Sequence, residues 1–161
     1  MRILGIDPGF AITGFSVIDY EGNKFKLITS GAILTEAHTS FPLRLEQIYN
    51  QLNQIITEYK PDAMAIEELF FNNNAKTAIN VAQARGVILV TAKLNKVPIY
   101  EYTPLQIKQT MTGYGRAAKK DMQEAVRHFL NMKEIVKPDD AADALAAAIT
   151  HALMTRIQYR D

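Results

Sequence analysis

The chain has 161 residues, 48% apolar and 22% charged, with a formal net charge of +1. That length can bury one core without staples, and the composition excludes disordered, collagen-like and coiled-coil chains. With no cysteine and only His38, His128 and His151, at spacings that share no metal, zinc and Fe–S sites and cysteine nucleophiles drop out, leaving carboxylate oxygen and hard cations such as Mg2+ or Mn2+.

Arg2–Asp7 (RILGID) is a short strand-like run after Met1, not the long apolar core of a signal peptide. No apolar run reaches the ~18 residues of a membrane span, so no membrane is expected, and the lack of cysteine fits a reducing cytoplasm. Pro8-Gly9 ends this strand as a turn. Gly14–Tyr20 and Lys26–Leu34 are rich in β-formers and read as strands joined by a hairpin at Tyr20-Glu21-Gly22-Asn23. Links this short make the first three strands antiparallel neighbours.

Leu45, Ile48, Tyr49, Leu52, Ile55, Ile56 and Tyr59 repeat at helical spacing, with Ser40 as N-cap and Pro42 in the first turn. Lys60-Pro61-Asp62 stops that helix. Ala63–Glu67 is a fourth strand, the stretch from Phe70 to Asn74 breaks the pattern, and a helix runs from about Ala75 to Leu94. Its small residues Ala82, Ala84 and Gly86 allow a partner to approach closely. Pro98–Tyr102 is a fifth strand, followed by helices at about Pro104–Met111, Lys119–Leu130 and Asp140–Thr155. The order βββαβαβααα predicts an α/β fold with a mixed five-stranded sheet flanked by helices, one domain over 1–155, and a frayed tail over 156–161.

Charge is uneven. Between Thr103 and Lys137 seven cations (Lys108, Arg116, Lys119, Lys120, Arg127, Lys133, Lys137) face three anions, and the dense acids Asp139, Asp140 and Asp143 follow directly. A basic segment beside an acidic knot suits a protein that grips a polyanion and holds metal next to it; a plain solvated helix face explains the basic part equally well.

Four carboxylates stand in costly places. Asp7 ends an apolar strand and shares a face with Ile3 and Gly5, and Glu67 is flanked by apolar residues on both sides. Glu68 alternates to the opposite face as an ordinary surface charge. One aspartate would cap the last helix, yet three precede or open it, and Asp140 and Asp143 share one side of its first turn. The alanines around them leave the helix slim enough to lie flush on the sheet. If Asp7, Glu67, Asp140 and Asp143 converge, two divalent ions about 3.5–4 Å apart would stabilise them and set up in-line attack on a phosphodiester.

The motifs ILGIDPG (3–9), Thr13-Gly14, AIE (65–67) with Phe70, QARG (83–86), Glu101-Tyr102, KQT (108–110), GYG (113–115), Lys119 and DAADALAAAITH (140–151) resemble the RuvC Holliday-junction endonucleases across nearly the whole chain. The resemblance implies an RNase H-like fold. It also implies that Asp7, Glu67, Asp140 and Asp143 are catalytic and hold Mg2+ or Mn2+, two ions per site, while Asp139 keeps its capping role. Phe70 is then an aromatic that stacks on DNA, with core packing as the alternative and Phe71 as a rival ring. Lys108 and Lys119 would contact phosphate; Lys120 and Arg116 join them on charge alone, and the Gly113-Tyr114-Gly115 loop offers either backbone donors or a simple turn. The family further implies a homodimer, built on the small-residue helix, that nicks four-way junction DNA symmetrically in recombination and repair with the RuvA and RuvB branch-migration proteins. The alternatives are an RNase H-like nuclease for structured RNA (YqgF-type) and a non-catalytic junction-binding protein. A sugar-kinase-like ATPase would need two such halves, and the chain has no internal repeat.

Overall fold

In a computed structural model of the protein, residues 1–70 and 75–158 are described, Ile157 and Gln158 by backbone alone. The elements in chain order are β1 (Arg2–Asp7), β2 (Ile12–Glu21), β3 (Lys24–Leu34), α1 (Phe41–Tyr59), β4 (Ala63–Glu67), α2 (Ala75–Leu94), β5 (Ile99–Tyr102), α3 (Pro104–Thr112), α4 (Lys119–Phe129) and α5 (Asp139–Gln158). The sheet runs β3-β2-β1-β4-β5, antiparallel through the first two pairings and parallel through the last two. The first three strands are thus antiparallel neighbours, as their short links require.

Strand alternation divides the core in two. Ile3, Ile18 and Ala65 face α5, whereas Leu4, Ile6, Val17, Met64 and Ile66 face α1 and α2. On the second side Ile48, Leu52 and Ile56 of α1 and Ile88 of α2 are buried, as the helical spacing predicts. Gly22 and Asn23 both take positive φ (53° and 67°), closing a two-residue hairpin between Glu21 and Lys24 that matches the right-handed strand twist.

Helix ends follow local chemistry. Ser40 occupies the N-cap of α1, but its side chain makes no capping hydrogen bond; only its carbonyl oxygen is used, by Arg44 N–H (3.1 Å). Lys60 ends α1 in the left-handed region and donates its N–H to Ile56 O. Thr103 and Gln106 cap α3 reciprocally, at 3.1 and 2.9 Å. α5 continues through Arg156 to Gln158, beyond the Thr155 end expected from the sequence, and the last three residues of the expected tail lie outside those described. Among the described residues no helix is long and apolar enough to cross a membrane.

Candidate active site

The carboxyl ends of the two central strands bring the first two acids together. Ile6 pairs with Ile66 in parallel register, so Asp7 and Glu67, each the next residue, end neighbouring strands on the α5 side of the sheet. Beyond Asp7 the chain turns sharply: Thr13 Oγ1 donates to Gly9 O, and a side chain at Gly9 would lie 2.0 Å from Ile12 O. The returning strand places Gly14 opposite Asp7.

Glycine then admits the other two acids. A Cβ at Gly14 would sit 2.0 Å from Asp140 O, and one at Gly5 2.0 Å from Ala144 O. The first turns of α5 therefore rest directly on β1 and β2 backbone, with Ala141 and Ala144 fully buried beneath them. That contact lays Asp140 and Asp143 against the ends of β1 and β4.

The electrostatics report the convergence. Asp7 is pushed from 3.8 up to about 8, first by burial and then by the charges of Asp143, Glu67 and Asp140. Glu67 is raised by burial and by Asp143, and Asp143 by burial, against the opposing pull of Lys119. Among the described residues no three His, Asp or Glu side chains form a finished ligand set; the four carboxylates are electrostatic neighbours rather than a closed cage. A donor group that is all oxygen, partly buried and strongly self-repelling has the chemistry of a hard divalent site.

Two clefts meet at Glu67 and Pro104. One, about 200 Å3, is lined by Lys108, Lys119 and Asp143 as well. The other, about 230 Å3, is lined by Asp7, Glu68 and Phe70. Phe70 is 59% exposed, which rules out core packing. Phe71 lies outside the described residues. Glu68, expected as an ordinary surface charge, borders the aromatic cleft.

Lys119 opens α4, whose first turn is capped by Asp121 accepting from Ala118 N–H (3.1 Å). It reaches Asp139 Oδ2 at 3.0 Å, and its charge also acts on Asp7 and Asp143. Asp139 thus departs from its expected capping role: its carboxylate takes Lys119 and Gln123 Nε2 (3.1 Å) from α4. Lys108, half-buried, lowers Glu67 by its charge. Arg116 and Lys120 are exposed and line neither cleft. The glycine loop is a turn: Gly113 N–H donates to Gln109 O and Tyr114 N–H to Thr112 Oγ1, so neither is offered to phosphate. The small residues of α2 divide, Ala84 buried on its own sheet and Gly86 turned outward.

Comparison with known proteins agrees with this geometry. A family model described as crossover junction endodeoxyribonuclease RuvC matches residues 3–151. The RuvC of Alkaliphilus metalliredigens is 55% identical over 152 residues, covering 94% of this chain and 93% of its own. Thermus thermophilus RuvC, solved in complex with a Holliday junction substrate, is 35% identical with a TM-score of 0.93, over 98% of this chain and 96% of that one. A yeast mitochondrial Holliday junction resolvase shares the fold at 12% identity, TM-score 0.74, over 99% of this chain and 81% of its own.

Proposed function

Because the chain belongs to the RuvC family of crossover junction endodeoxyribonucleases, we propose that Asp7, Glu67, Asp140 and Asp143 are its catalytic acids and that they hold the metal. The fold is the α/β RNase H-like one, and the protein is a nuclease that resolves four-way (Holliday) DNA junctions, with a dependence on divalent metal. The RNA-processing and non-catalytic alternatives are not favoured.

The observation that carries the site assignment is the gathering of the four carboxylates at one place, where burial first and then the charges of Asp143, Glu67 and Asp140 raise Asp7 to about 8. Two ions, Mg2+ with Mn2+ as substitute, match four oxygen-donor side chains with no histidine or cysteine among them. When bound, such ions activate the attacking water and offset charge at the phosphate and leaving oxygen. The chain does the rest. Asp7 would release its carboxyl proton to water on holding a cation, and Lys119 and Lys108 flank the acids where a scissile phosphate needs countercharge. Phe70 presents an exposed ring in the cleft that Asp7 and Glu67 also line, suited to stack on an unpaired base at the junction centre. Arg116 and Lys120 extend the phosphate-binding surface beyond the clefts.

We also read the protein as a homodimer acting symmetrically on a nearly two-fold substrate. The outward stripe of α2 supports this: Ile79, Val90 and Leu94 are 57%, 56% and 65% exposed, with Gly86 between them, beside an apolar groove that α2 shares with α1. Cooperation with RuvA and RuvB, and a single nuclease domain over 1–155, complete the proposal.

The test is Asp7→Asn on a synthetic four-way junction, with Mg2+ and with chelator. The wild type should cut only with Mg2+, and the variant should bind the junction without cutting. Cutting by the variant at the wild-type rate, or by the wild type in chelator, would refute the assignment.

A further inference from the structure

Tyr102 is anchored at both ends, and each end leads to a different half of the acidic cluster. Its backbone pairs with Glu67, and its carbonyl oxygen accepts from Glu68 N–H at 2.8 Å, so it pins the end of the strand that carries Glu67. Its hydroxyl and His151 Nδ1 share a hydrogen bond of 2.7 Å inside the core, where the two residues are only 8% and 1% exposed. His151 lies on α5 two turns beyond Asp143, and its ring packs on Tyr100 with centroids 4.2 Å apart.

The rest of the contact is apolar side chains and backbone. α5 offers the sheet buried alanines such as Ala141, Ala144 and Ala148 together with Leu145 and Ile149, apolar groups whose packing is non-directional. Gly5 and Gly14 set how closely the first turns of α5 approach β1 and β2, but they act only at the Asp140–Ala144 end of the helix. Among the described residues, Tyr102–His151 is the side-chain hydrogen bond that ties α5 to the sheet. A buried polar pair of this kind is costly to mismatch and so specifies one arrangement. Burial lowers His151 from 6.5 and raises Tyr102 to about 12, so both partners stay neutral.

We propose that the Tyr102–His151 hydrogen bond is a positioning latch, setting α5 along the sheet and thereby the reach of Asp140 and Asp143 toward Asp7 and Glu67. Both are positioning residues for metal capture, and the proposal rests on the reading that these four carboxylates hold the cation. A site left loosely supported by its surroundings loses metal affinity even with every ligand present.

The experiment is calorimetric titration of the full chain with Mn2+, without DNA and well below the unfolding temperature. Tyr102→Phe and His151→Leu should each weaken Mn2+ binding about tenfold, the low end for loss of an outer-shell partner, with metal-free junction binding unchanged. His151→Asn puts an amide atom where Nδ1 stands and should recover most of the affinity. Wild-type Mn2+ affinity in both loss variants overturns the latch, and so does an Asn variant as weak as the Leu one. Should His151→Leu fail to fold, Tyr102→Phe carries the test because it keeps the ring; if that fails too, His151→Gln, whose amide falls at the Nε2 position, should bind Mn2+ as weakly. Asp7→Asn is the control: if it leaves Mn2+ binding untouched, the metal reading fails rather than the latch.

Discussion

The two faces of the sheet are built by opposite rules. On the α1 and α2 side, Leu4, Ile6, Val17 and Ile66 interlock with Ile48, Leu52, Ile56 and Ile88, bulky side chains that keep helix and sheet apart. On the α5 side, alanines meet glycine-cleared strands so closely that helix carbonyls nearly touch strand Cα atoms. The first face can absorb a change of volume as a local cavity, because side chains rather than backbone meet there. The second cannot, because backbone meets backbone. The carboxylates stand at the edge of the unforgiving face, which suits chemistry that depends on where charges sit.

Gly14→Ala should break this contrast most severely. Its new methyl group would have to displace Asp140 O, and a shift of about 1 Å in the acids can cost about 100-fold in cleavage. A variant that is folded and fully active would show that α5 does not need so close an approach. Leu52→Ala is the counterpart on the other face. It should cost about 2–5 kcal/mol in unfolding free energy by leaving a cavity, while the cleavage rate of the remaining folded protein is unchanged. A large drop in that rate would mean the two faces are not independent.

A smaller effect sharpens the role of the basic residues beside the acids. Replacing Lys120 by alanine should lower the salt dependence of junction binding by about one unit of slope for one lost phosphate contact. Lys119→Ala should change it less, since Asp139 already pairs with Lys119 in the free protein. Equal slopes for both variants and the wild type would place the phosphate surface elsewhere.

Much of this was legible in the sequence, and the boundary has a physical cause. Periodicity and turn chemistry report on neighbours along the chain, so β1, α1 and the antiparallel opening were readable, as was the strand face that Asp7 shares with Ile3 and Gly5. The four candidate acids were readable too, because charges at strand ends and helix starts stand out against apolar neighbours. What escaped were pairings across elements. Asp139 looked like a cap because aspartate at a helix start usually is one, and only the packing of α4 on α5 hands it Lys119 and Gln123. Gly5 and Gly14 carried no sign of their clearance over α5, and His151 none of its bond to Tyr102. Glu68 was read as a surface charge, and the cleft it borders was not visible in the sequence.

The acids also fix how stability depends on pH. Asp7 binds its proton more tightly folded than unfolded, so its contribution without metal is full below pH 3.8 and lost as pH rises toward about 8. Glu67 and Asp143 shift the same way. The metal-free wild type should therefore lose thermal stability relative to Asp7→Asn across that interval, and parallel curves would argue against a strained cluster.

The most direct measurement is an NMR titration of the Asp7 carboxyl carbon with and without Mg2+. Without metal it should be half protonated near pH 8, and saturating Mg2+ should leave it ionised at neutral pH, since ion and proton compete for the same oxygens. An Asp7 that titrates near its ordinary 3.8 without metal, and does not respond to Mg2+, would contradict the account at its centre.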